Sequence, residues 1–151
     1  MEVHTRRPPI QSRPGTRDEV YGDRVAASRF DYLLQELLKD CGKWGNSKSL
    51  ELEPLETLWR FLEMPTSLER PLPLNRRPES IGGSPQVLRI RSGAVATPFV
   101  VRWGSAGNES DVLLGRGVLT GENLDLPLIA RSEDARTLRQ YPRGQWAPHA
   151  R

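Results

Sequence analysis

Between Pro65 and Pro85 the chain carries five prolines (Pro65, Pro71, Pro73, Pro78, Pro85) and a Gly82-Gly83 pair. No helix can run through such a stretch, because each proline removes a donor and clashes with the preceding turn. The apolar period also differs on its two sides, three to four residues before it and two residues after it. Helices preceding strands, in separate runs, predict an α+β fold. The expected form is an N-terminal helical hairpin packed on a small antiparallel sheet, with disordered tails. By residue this gives a disordered basic arm over 1–17, a helical hairpin over 18–64 and a Pro-rich linker over 65–85. A small β-sheet region with a short terminal helix follows over 86–140, then a tail over 141–151.

In the helical part, Ala26, Phe30, Leu33, Leu34, Leu37, Leu38 and Cys41 recur at spacings of three and four and form one apolar stripe. Cys41 closes that stripe and is expected to be buried as a small hydrophobe. The helix should start near Asp23 and stop at Gly42, with Lys39 in its last turn. Pro54 suits a first helical position, Leu55, Leu58, Trp59 and Leu62 form a second apolar face, and Glu56 and Arg60 stand four residues apart in the favourable order. Trp59 is expected in the core.

After the prolines, Gln86–Arg91 and Pro98–Trp103 read as strands, with Asp111–Leu114 and Gly117–Leu119 the candidates for a third. Ser132 followed by Glu133 and Asp134 predicts the cap of a short helix ending at Gln140. If Leu88, Ile90, Phe99, Val101 and Trp103 face the helices, then Arg89, Arg91 and Arg102 share the exposed face of the sheet. A one-residue change of register would reverse those assignments.

Of 22 basic residues 19 are Arg, and charge is unevenly placed: residues 70–104 carry a net +5, including Arg76 and Arg77 in the linker, whereas residues 18–69 carry a net −5. Arg is the better phosphate binder, since its planar fork donates bidentately and stacks on bases. Codon bias toward GC-rich triplets produces the same excess, so position decides. Arginines at strand spacing suit the phosphates of a double-stranded nucleic acid, read by shape and charge. A solvated sheet face carries arginines too.

Catalysis and cofactors find little support. The single cysteine excludes an internal disulfide or a Cys-based zinc site, and His4 and His149 lie at opposite ends of the chain. No catalytic residue, metal ligand or cofactor is expected. No apolar run is long enough for a membrane span, and the N-terminus has no hydrophobic signal segment. The expectation is therefore a protein that is not secreted and has no membrane partner.

Two tryptophans precede glycines, in Lys43-Trp44-Gly45 and Arg102-Trp103-Gly104. Trp-Gly pairs act as hooks for Argonaute proteins in several plant-virus silencing suppressors. With these pairs, the Leu88-Arg89-Ile90-Arg91 strand and the helices-before-strands order, the chain resembles the tombusvirus and aureusvirus suppressors, small basic α+β proteins that hold duplex small RNA across an arginine-bearing sheet. That class brackets duplex ends with a helix bearing paired tryptophans, and the corresponding helix here has one, Trp59. The resemblance implies a viral accessory protein of the host-cell cytoplasm that binds double-stranded or small RNA through Arg89, Arg91, Arg102, Arg76 and Arg77. It also implies an Argonaute-type partner at Trp44, Gly45, Trp103 and Gly104. A homodimer is expected because the folded portion is small and its sheet leaves an edge.

A second resemblance is to the first half of a forkhead-associated phosphothreonine-binding domain. It rests on Leu88–Gly93, Leu114-Gly115-Arg116 and Asn123–Leu126, and implies Arg116 as the phosphate contact. That family's Ser-Arg-x-His stretch would fall at Arg131-Ser132-Glu133-Asp134, which has no His. The alternative function is thus a non-enzymatic interaction adaptor, either a phosphopeptide module of this kind or one that docks the helix Phe30–Cys41 in a partner's groove.

Overall fold

The computed structural model describes residues 23–42, 51–93, 95–119, 121–122, 124–134 and 137–148. The expected basic arm and the Trp44-Gly45 pair lie outside the described residues. The fold is α+β, and the chain divides into two units, Met1–Ile81 and Gly82–Arg151.

In the first unit, helix α1 spans Arg24–Asp40 and begins where Asp23 Oδ1 accepts the Val25 and Ala26 N–H groups, both at 3.0 Å. Those two donors have no partner within the helix, so the cap satisfies them. Gly42, with φ 67°, ends it in the left-handed conformation that a side chain resists. Helix α2 spans Glu53–Glu63, with Pro54 and two acidic residues in its first turn, and packs against α1. Trp59, Phe61 and Leu62 of α2 and Leu34, Leu37 and Leu38 of α1 are buried, and Glu56 pairs with Arg60 at 3.2 Å. Cys41 is exposed, contrary to expectation: it sits at the C-cap, where the helix face has already turned away.

The proline-rich segment is more than a linker. Strands β1 (Thr66–Ser67) and β2 (Arg77–Pro78) pair in parallel within the first unit. Prolines offer carbonyls but no N–H groups, leaving acceptors in excess. Arginines supply the missing donors. Arg29 of α1 donates to Leu72 O at 3.0 Å and Pro73 O at 3.1 Å, and Arg77 donates to Met64 O at 2.8 Å and to Ile81 O.

The second unit is a six-stranded sheet. Its strands are β3 (Val87–Arg89), β4 (Thr97–Ser105), β5 (Asn108–Leu113), β6 (Arg116–Gly117), β7 (Leu128–Arg131) and β8 (Leu138–Tyr141). The order is β6-β5-β4-β7-β8, with β3 on the first residues of β4. It is mixed and not antiparallel throughout, because β7 returns parallel to β4, Val100 opposite Leu128 and Val101 opposite Ile129. Val100, Leu113, Leu128 and Ala130 form a core on one face, against which Val118, Leu124, Leu126, Tyr141 and Trp146 pack. On the other face Phe99, Val101 and Ile129 are each 2% exposed or less.

Two further expectations are corrected here. The stretch leading to Gln140 is strand β8, not a helix. Strand β7 is buried, so the backbone groups on both its edges need partners; β4 serves one edge and β8 the other. Ser132, instead of capping a helix, bridges the β7–β8 connection: its N–H donates to Thr137 O at 2.8 Å and its hydroxyl to Asp134. The expected tail is packed over residues 142–146. Pro142–Gln145 is a turn closed by Gln145 N–H to Pro142 O at 3.1 Å, with Gly144 at φ 78°. Trp146 Nε1 then donates to Leu126 O at 2.8 Å.

Candidate functional site

The register of β3 on β4 decides where the arginines go. Val87 faces Phe99, Leu88 faces Pro98 and Arg89 faces Thr97. Opposed residues share a face, and faces alternate along a strand. Arg89 therefore lies on the side of Phe99 and Val101, while Arg102 lies on the side of Val100. The common arginine face does not exist. Leu88 and Ile90, expected inside, are 50% and 75% exposed. The expectation failed because β4 is buried on both faces, so its alternation says nothing about which side meets solvent.

Arg102 is committed internally. Its Nε donates to Asp111 Oδ1 at 2.8 Å and its Nη2 to Asp111 Oδ2 at 3.1 Å, a bidentate pair between directly opposed residues of β4 and β5. The side chains are 17% and 2% exposed. Nη2 also donates to Ala147 O at 2.9 Å, pinning the segment that carries Trp146. Arg76 and Arg77 belong to the first unit, and the Arg77 guanidinium is held by the carbonyls already named.

Arg89 and Arg91 do meet, in a cleft of about 430 Å³ within the second unit. Arg89 stacks 4.8 Å over the buried Phe99 ring and donates from Nη2 to Gln140 Oε1 at 2.7 Å, which fixes its plane. Arg91 is exposed and has no hydrogen-bond or ion-pair partner among the described residues. A third guanidinium comes from Arg143, at the second position of the Pro142–Gln145 turn, 3.5 Å from Asp125 Oδ2. Three cations thus face one carboxylate around a concave surface, an arrangement suited to an anion with several acceptor oxygens. Arg143 was missing from the expected site. Its one sequence signal is the Pro142-Arg143-Gly144 turn, which presents the residue after proline at a corner.

Trp103 is half-buried on the Phe99 side of β4. Gly104 has a structural reason of its own. Its φ is 138°, and a Cβ there would stand 2.5 Å from Asn108 O on the neighbouring strand.

Arg116, the phosphate contact implied by the forkhead-associated resemblance, is taken up by Glu122. The two groups form a bidentate pair at 2.6 and 3.0 Å, and Glu122 Oε2 also accepts the Leu119 N–H at 3.0 Å. These hydrogen bonds, first that from Arg116 and then that from Leu119, hold the Glu122 carboxyl down at about 2 from an ordinary 4.5. A depressed carboxyl stabilises the fold above its unfolded pKa and ceases to as pH falls through the folded one. Between about pH 4.5 and 2 the wild type should therefore lose a component of stability that Glu122→Gln lacks, read from denaturant midpoints across that range. Parallel curves for the two proteins would show the pair to be inert.

Among the described residues no group of three or more His, Cys, Asp or Glu is placed to hold a metal, and no helix is long and apolar enough to cross a membrane. The chain matches no protein-family model, no curated protein and no solved structure.

Proposed function

We propose that the chain is a non-enzymatic RNA-binding accessory protein whose phosphate contacts come from Arg89, Arg91 and Arg143. The observation that carries this reading is the cleft, in which a guanidinium with no hydrogen-bond or ion-pair partner among the described residues stands beside two others. The site thereby moves from the middle of a sheet face to the place where β3 and β8 end and β4 begins. The resemblance to plant-virus silencing suppressors extends the proposal to double-stranded or small RNA, to suppression of silencing in a host cytoplasm, and to an Argonaute-type partner for the Trp-Gly pairs. The adaptor reading has less behind it: Leu34, Leu37 and Leu38 are buried, and Arg116 is occupied by Glu122.

Filter binding of duplex small RNA across a salt series tests the proposal. Affinity should fall steeply as salt rises, and R89A/R91A/R143A should flatten the slope by about two to three units, since each phosphate contact contributes slightly under one. The triple variant should remain folded, because two of the three side chains are exposed and Arg89 forgoes about 1 kcal/mol of stacking. An unchanged slope in a folded triple variant, or no binding at moderate salt, removes the cleft from function.

A homodimer belongs to the same proposal. The outermost strands β6 and β8 are two and four residues long, and an open edge supports pairing with a second copy. Light scattering after size exclusion should return twice the monomer mass; a monomer at micromolar concentration rules the dimer out.

A further inference from the structure

We infer that the cleft receives a single nucleoside monophosphate unit, the phosphorylated end of an RNA chain, in preference to the continuous backbone of a duplex. The inference rests on the RNA-binding reading and narrows it. The cleft's volume of about 430 Å³ falls within the range of small-molecule sites, roughly 300–1,000 Å³. Its lining is divided in character. Val95, Pro127 and Pro142 offer apolar walls, while Thr97 and Gln140 add neutral polar groups beside the arginines. A groove that follows a backbone is basic along its length and open at both ends. Apolar walls with a few convergent polar groups suit instead one ligand with a flat, weakly polar part and a charged part, as a base and its phosphate are.

The charges agree with one phosphate. A terminal phosphate monoester carries about −1.5 to −2 at neutral pH, roughly twice the charge of a backbone diester. Among the described residues Arg91 has no competing partner, and Arg89 is held in plane by Phe99 and Gln140, so two guanidinium groups are ready for it. Asp125, beside Arg143, repels a second phosphate but accepts a hydrogen bond from a ribose hydroxyl. The same chemistry is presented by a free mononucleotide, and the experiment separates the two sources.

Fluorescence anisotropy on the full chain should compare one single-stranded RNA sequence with a 5′-phosphate, a 3′-phosphate or hydroxyl ends, with adenosine monophosphate as competitor. A phosphorylated end should strengthen binding at least tenfold, and the mononucleotide should compete. Arg91→Ala should abolish the difference between ends, whereas Arg139→Ala, an exposed arginine outside the cleft, should preserve it. Equal binding of hydroxyl-ended and phosphorylated RNA, with Arg91→Ala weakening both alike, overturns the inference and leaves RNA binding standing. Binding of the mononucleotide without binding of any RNA supports the nucleotide site and overturns the RNA reading. Binding of neither overturns both.

Discussion

Replacing Arg102 by Ala is expected to lower stability by about 3–5 kcal/mol, the usual cost of removing one partner of a buried ion pair. The charge left behind dominates that figure. The Asp111 side chain is 2% exposed, so its carboxylate would be stranded away from water without its guanidinium partner. The hydrogen bond to Ala147 O goes too, which frees the segment holding Trp146 against the sheet. R102A/D111N should therefore be more stable than R102A alone at neutral pH, because the second change removes the stranded charge while keeping the shape. Urea unfolding of the three proteins decides it. A loss under about 1 kcal/mol, with no recovery in the double variant, would mark the pair as an ordinary surface one. It would also return Arg102 to the set of residues available for RNA.

The helices were legible because their signals are local: Asp23, Gly42 and Pro54 mark boundaries within a turn of where they act, and the buried positions recur at helical spacing. The sheet was not, because its determinants are distant in the chain. Phe99, Val100 and Val101 are all buried, so their run is uniform and carries no register. Strand β8 exists to satisfy the outer edge of β7, a need that nothing near Leu138 announces. The Arg102–Asp111 pair, by contrast, was within reach. A tight loop at Ala106-Gly107 sets Ser105 against Asn108, and counting back three residues on each side puts Arg102 against Asp111. The cleft combines Arg89 and Arg91 with Arg143, roughly fifty residues later, and only the folded sheet brings them together.

Beside the same loop, Gly104 has little room for a side chain. An added Cβ would meet Asn108 O at 2.5 Å and Glu109 Cα at 3.0 Å, both backbone atoms of the paired strand, which cannot swing aside as a side chain would. The φ of 138° adds strain, since L-residues avoid it. Together, strain and overpacking should make Gly104→Ala cost about 3 kcal/mol. Gly107 is the internal control. It lies at the hairpin tip between Ser105 and its strand partner Asn108, at φ 80° with nothing within 4 Å of its Cβ position, so Gly107→Ala carries the backbone term alone, about 1 kcal/mol. If Gly104 serves only as the flexible half of a partner hook, the two substitutions should cost alike and the Gly104→Ala protein should keep its fold while losing its partner. If the close approach of β4 to β5 requires it, Gly104→Ala should melt at a clearly lower temperature than Gly107→Ala. Circular dichroism melts of the two variants separate these outcomes, because contact with backbone atoms is a demand on the fold that no partner can relieve.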